Sequence, residues 1–243
     1  MPKTLCLDFG NTRQKAAVFH NDTLQETITL DENTLQHIDR IVQHYQPTHA
    51  ILSSVIDHNT AIETFLKAHT HFHKLTHLSR LPFTIPVGKP ETVGADRLAI
   101  AAAAVHFFKN SNTLVIGLGS CITYNFINQE KELLGGAISP GMHMRFKAMH
   151  EYTAKLPLVP ADWNVPLIGY DTATNMQSGV VLGIAHEMDG FIDAYKQRFR
   201  NFNAVLTGGD TPFFEPHLKN GIFADFDFIF KGLYAISQFN TSS

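Results

Sequence analysis

The stretch TLVIGLGSCITYNF, residues 113–126, repeats the pattern of the N-terminal stretch TLCLDFGNTRQKAAVF, residues 4–19. Each runs from an apolar strand into a turn of glycine with small hydroxyl or amide residues, and then into a second strand. The first copy carries a carboxylate, Asp8, at the end of its leading strand, and the second carries Gly117 at the matching place. Alternation on both sides of GNTR predicts a β-hairpin over 4–19. TLQETITL, residues 23–30, extends it by a third strand.

Outward from that hairpin the periods change. Leu35, Ile38, Ile41, Val42 and Tyr45 recur at helical spacing, so a helix is expected before Pro47. HAILSSV reads as a short buried strand, NTAIETFLKAHT as a helix, and 75–93 as irregular, punctuated by Pro82, Pro86 and Pro90. GADRLAIAAAAVHFF opens a long helix from Gly94. From residue 113 the order restarts: strand, glycine turn, strand, then the Gly135–Gly136 pair. A helical region follows over 172–200, NAVLTGGD gives a strand and turn, FDFIF a strand, and a helix closes the chain. Strands in a meander followed by strands alternating with helices, twice, indicate a duplicated α/β fold. The expected lobes are 1–110 and 111–243, enclosing a cleft.

Composition bounds the function. The 243 residues are 44% hydrophobic and 17% charged with a net charge of −3, which gives no bulk attraction to nucleic acid or membranes. Cys6 and Cys121 fit buried thiols in a reducing compartment rather than a disulfide framework. No secretory leader is expected because Asp8 interrupts the apolar start, and LAIAAAAVHFF is too short to span a bilayer. A cytoplasmic location is the expectation.

The chemistry lies in the glycine turns. In Asp8, Phe9, Gly10, Asn11 and Thr12, the glycine and asparagine tolerate positive φ, so the chain can reverse and aim amides at phosphate oxygens. Asp8 suits Mg²⁺ held through water, and Lys15 offsets phosphate charge. Alone, such a turn equally joins hairpins that bind nothing. Ser120 with Gly119 offers a second clamp, and Gly208 and Gly209 bare the backbone for a flat base or ribose. Three such turns over a duplicated fold point to ATP held between two lobes.

DFGNTRQK, SSV, GADR, LGSCITYNF, GGAISPGM, TAKLPLV, TNMQSG and LTGGD occur in an order and spacing that resembles the type III pantothenate kinases, of the actin/Hsp70/sugar-kinase superfamily. The resemblance implies two ribonuclease-H-like lobes, a homodimer, and ATP-dependent phosphorylation of the terminal hydroxyl of pantothenate, the first step of coenzyme A biosynthesis. It makes Asp8 through Lys15, with Arg13 and Gln14 included, the first ATP loop, and puts Ser120 in place of a threonine that contacts ATP. It puts Gly94, Ala95, Asp96 and Arg97 on pantothenate, with Asp96 taking the hydroxyl proton, and Thr172 at a substrate-binding position. Independently, a carboxylate within hydrogen-bond reach makes a hydroxyl a better nucleophile. A guanidinium fork such as that of Arg97 suits a substrate carboxylate. Without the resemblance, Asp96–Arg97 reads as an acidic helix start beside a surface arginine.

Three positions depart from the pattern. Gly117 stands where the family has an aspartate for an activating K⁺ or NH₄⁺, and Asn125 where close relatives often have aspartate. Val87 replaces a tyrosine that contacts substrate in many relatives. The expected outcomes are therefore a kinase with altered cation dependence, a nucleotide-binding regulator without turnover, or a kinase for another alcohol. The alternate histidines His69, His71 and His73 share one face if extended, and read as a solvated edge rather than a Zn²⁺ site. Cys121 is taken as a small buried filler, FADFDFIF as a half-buried core strand, and Trp163 as a candidate dimer contact.

Overall fold

A computed structural model describes residues 2–86 and 88–241. In chain order it contains β1 (Lys3–Phe9), β2 (Gln14–His20), β3 (Thr23–Thr29), α1 (Thr34–Tyr45), β4 (His49–Ser54), α2 (Thr60–His69), β5 (His71–Lys74) and α3 (Ala95–Phe107). There follow β6 (Asn112–Leu118), β7 (Cys121–Ile127), β8 (Leu133–Pro140), α4 (Met142–Glu151), α5 (Thr172–Gln177), α6 (Gly183–Arg198), β9 (Phe202–Gly208), α7 (Thr211–Phe214), β10 (Phe223–Ala224) and α8 (Phe228–Thr241). The chain divides into two compact units, one of residues 1–110, 127–134 and 227–243, the other of residues 111–126 and 135–226.

The two five-stranded sheets have one topology. Their orders are β3-β2-β1-β4-β5 and β8-β7-β6-β9-β10, so in each the third, second, first, fourth and fifth strands lie side by side. In the first, β1 pairs antiparallel with β2 and parallel with β4; in the second, β6 pairs parallel with β9. This is the duplication expected from the two glycine-turn stretches.

Strand alternation sorts the side chains of β1. Leu5, Leu7 and Phe9 join one buried cluster with Ile38 and Ile41 of α1 and Ile62 and Leu66 of α2. Cys6 and Asp8 lie on the opposite face, the one that α3 and α8 cover, and burial pushes the Cys6 thiol up. There Phe19 stacks on Tyr234 with ring centroids 4.6 Å apart. Helices α3 and α8 cross at Gly232, where a Cβ would lie 1.8 Å from the Ala99 carbonyl oxygen.

In the second unit, Leu114, Ile116 and Leu118 of β6 pack with Phe146 of α4, Met176 of α5, and Ile184 and Met188 of α6. A π-helical turn over Ser178–Leu182 joins α5 to α6, so 172–198 is helical throughout, close to expectation. Trp163 packs into this unit, stacked on His217 at 3.6 Å and edge-on to Phe213 and Phe214.

The tail departs from its expected strand. Only Phe223 and Ala224 pair with β9, and from Phe228 the chain is helical. Phe228 and Phe230 are buried with Leu233 and Ile236, so the core half of the reading holds while helical packing overrides the short alternation. Cys121 is half-buried rather than buried. Of the three histidines, His69 ends α2 and only His71 and His73 lie in β5. His71 faces His49 with ring centroids 5.3 Å apart. Among the described residues no three His, Cys, Asp or Glu side chains are grouped to hold a metal ion, and no helix is long and apolar enough to cross a membrane.

Candidate active site

In the first unit β2, the end of β4 and the start of α3 each place a charged or polar group near Asp8. In register, Asp8 sits opposite Lys15 on β2 and Ser53 on β4. The Ser53 hydroxyl donates to Asp8 Oδ1 at 3.3 Å. The turn between β1 and β2 closes through the Gly10 N–H on the Arg13 carbonyl at 3.1 Å. Neither Gly10 nor Asn11 has positive φ, so the expected left-handed reversal is not used: four residues span the turn, and a Cβ on Gly10 would lie 3.3 Å from the Arg13 oxygen.

Gly94 caps α3, which places Asp96 in its first turn. A Cβ on Gly94 would lie 2.5 Å from Asp96 Oδ1, so the missing side chain is the space into which that carboxylate folds back. Burial, then the Asp96 charge, pushes the Asp8 carboxyl up to about 7, against the Ser53 hydroxyl and the Lys15 ammonium. Burial also lifts Asp96 above the ordinary carboxylate range, opposed by the main-chain N–H and the charge of Arg97. Two carboxylates thus sit where burial is the main force against their ionising. That chemistry fits a divalent cation on the Asp8 side.

Beside the turn lies a chain that the sequence reading missed. Ser54 Oγ is 2.9 Å from His58 Nδ1, His58 Nε2 is 3.1 Å from Glu63 Oε1, and the Lys74 ammonium donates to the same oxygen at 2.8 Å. The His58 ring meets Phe9 edge-on at 5.3 Å. This ties the loop after β4 to α2 and β5. The SSV triplet was its signal; the links span only 4, 5 and 11 positions, and what the sequence does not display is the fold of the loop that sets His58 between Ser54 and Glu63.

In the second unit Gly117 is in register with Thr207, as Asp8 is with Ser53. The turn at Gly119 and Ser120 closes with the Gly119 N–H on the Cys121 carbonyl at 3.1 Å. Asn125 is buried and donates to the Val115 carbonyl at 3.3 Å and to Thr123 Oγ1 at 3.1 Å. Gly208 has φ +105, and its Cβ would lie 2.1 Å from the Leu118 carbonyl oxygen, so its bareness serves the contact of β9 with β6. Gly209 has nothing within 4 Å of that position and presents open backbone. Thr172, exposed, is the first residue of α5, held there by Asp171, which accepts from the Thr174 N–H at 2.8 Å in a reciprocal capping box. Val87 lies outside the described residues.

Two units of one topology, each with a glycine turn after its first strand, define the duplicated ribonuclease-H-like fold of the actin and sugar-kinase type. Two solved structures agree. One is a candidate Baf family transcriptional activator from Campylobacter jejuni, with TM-score 0.62 at 22% identity over 98% of this chain and all of that one. The other is a candidate 2-dehydro-3-deoxygalactonokinase from Sinorhizobium meliloti, with TM-score 0.55 at 11% identity over 98% and 99%. Within that class, residues 4–194 match the type III pantothenate kinase family. A protein of Flavobacterium johnsoniae named type III pantothenate kinase is 40% identical over 97% of both chains. The chain belongs to the type III pantothenate kinase family.

Proposed function

We propose that the protein transfers the γ-phosphoryl group of ATP to the terminal hydroxyl of pantothenate, giving 4′-phosphopantothenate for coenzyme A synthesis. The observation that carries this reading is the pairing of Asp8 with Asp96 on the α3 face of the first sheet. A phosphoryl acceptor needs a base, and Asp96, lifted by burial, is suited to take its proton. Arg97 binds the pantothenate carboxylate, Gly94 and Ala95 leave the helix entry open to it, and Thr172 completes the substrate contacts. Residues Asp8 to Lys15 and Ser120 hold the phosphates of ATP, and Gly209, with Gly208 behind it, takes the adenosine side. A Mg²⁺ on the Asp8 side, held through water, supplies charge neutralisation for the triphosphate. The protein works as a homodimer.

Gly117 removes the carboxylate that would hold a monovalent cation, so turnover independent of K⁺ is expected. The same residue favours a second reading, a nucleotide-binding regulator without turnover. A coupled ADP-release assay with Mg²⁺, with and without pantothenate, in K⁺, NH₄⁺ and Na⁺ buffers decides. Pantothenate-dependent turnover in every buffer supports the kinase. ATP binding without turnover in any of them supports the regulator.

A further inference from the structure

The second glycine turn is braced from behind by a charged cluster for which the kinase reading has no use. Gly141, which caps α4, presses on that turn: its N–H donates to the Ser120 carbonyl at 3.0 Å, and a Cβ there would lie 2.2 Å from the Gly119 oxygen. The position of Gly141 is set in turn by Arg145 one helical turn on, whose Nε donates to the Pro140 carbonyl at 2.8 Å. Arg145 is itself held by Glu187 of α6, its guanidinium donating to Glu187 Oε2 and, at 3.2 Å, to the Ser139 hydroxyl. Glu187 Oε1 accepts from Ser139 Oγ at 2.5 Å and from Tyr124 Oη at 2.9 Å. Burial alone would raise the Glu187 carboxyl, and the bonds from Ser139, Arg145 and Tyr124 outweigh it and hold the group below the usual range.

We propose that Glu187 is a positioning residue for nucleotide binding, fixing Gly119 and Ser120 through Arg145, Pro140 and Gly141. The inference rests on the reading of that turn as part of the ATP site. A surface ion pair would add little by itself. Here one carboxylate orients three donors on β7, β8 and α4, and the guanidinium carries that geometry to the backbone under the turn. Its loss moves the turn rather than unfolding the unit.

The test titrates a non-hydrolysable ATP analogue with Mg²⁺ into the wild type, E187Q, E187D and R145K, beside steady-state kinetics. E187Q and R145K are expected to weaken analogue binding about tenfold, as loss of a partner behind a binding group does, and to raise the KM for ATP in parallel. The KM for pantothenate stays within about twofold, and E187D, which keeps the charge, recovers part of the loss. Unchanged analogue affinity in the folded variants, or a fall in melting temperature with no change in the KM for ATP, overturns the proposal. Should E187Q not fold, R145K decides the matter, since it keeps a charge opposite Glu187 and loses the bond to Pro140. Wild type that binds nucleotide without phosphorylating pantothenate would remove the proposed function and leave the affinity ratio readable. Wild type that binds no nucleotide overturns both.

Discussion

Gly117 holds in β6 the place that Asp8 holds in β1: each is the sixth residue of a seven-residue strand, and each is in register with a hydroxyl residue on the adjacent parallel strand. The duplicated halves therefore differ at one chemically decisive position. Restoring the acid with Gly117→Asp is expected to make turnover respond to K⁺, on the order of fivefold, because a fixed charge near a bound polyanion needs a counter-ion. Initial rates in matched K⁺ and Na⁺ buffers measure it, and a variant no more responsive to K⁺ than the wild type would refute the equivalence.

Asp96→Asn removes the proposed proton acceptor while keeping shape. Turnover should fall by about 10²–10⁴-fold with affinity for an ATP analogue unchanged. ADP release and analogue titration, run on one preparation, separate the two effects.

Gly94→Ala tests whether the carboxylate needs its pocket. The new methyl would lie 2.5 Å from Asp96 Oδ1, and the side chain rather than the backbone gives way. Displacement by about 1 Å is expected to cost on the order of 10²-fold in kcat. Stability should change by no more than about 1 kcal/mol, which urea unfolding would register.

Asp8 stores an instability that only function explains. Its carboxyl titrates at about 7 in the folded chain, against about 3.9 when unfolded. Between those values the folded protein holds a proton that the unfolded chain has lost. Stability from this group is therefore fully present below about pH 4, declines as pH rises, and is gone above about pH 7. Asp8→Asn should raise stability at pH 8 without divalent cation by up to about 4 kcal/mol, the gap closing towards pH 4, while phosphotransfer is lost. Denaturant melts in chelator at the two pH values provide the comparison.

Gly232→Ala places a methyl against the Ala99 carbonyl, backbone on backbone, where nothing can swing aside. A loss of about 3 kcal/mol is expected, with α3 and α8 forced apart. A thermal melt within about 1–2 °C of wild type would contradict the packing.

Much of this was legible beforehand because the signals are local. The hairpin, the restart at residue 113 and the helices all follow from spacing that a window of about a dozen residues contains. What escaped depends on register or on competition between periods. Ser53 reaches Asp8 only because β4 lies parallel to β1 in that alignment, 45 positions away. Phe226, Phe228 and Phe230 alternate like a strand, yet the helix starting at Phe228 buries more once Leu233 and Ile236 are included. Gly208 offered a ligand surface in sequence, and in the fold its bareness is taken up by the Leu118 carbonyl. Glu187 carried no motif at all, since its partners come from three other elements.

The return of α8 to the first unit bears on synthesis. Residues 1–110 leave the ribosome well before residue 228, so the face of the sheet that carries Asp8 waits for its second helix through roughly ten seconds of elongation. Until then Cys6, Phe19 and the apolar flank of α3 lack their cover. The nascent protein must pass through an interval in which its first sheet is formed on one side only, and it is there, rather than in the finished molecule, that chaperone dependence and aggregation would be decided.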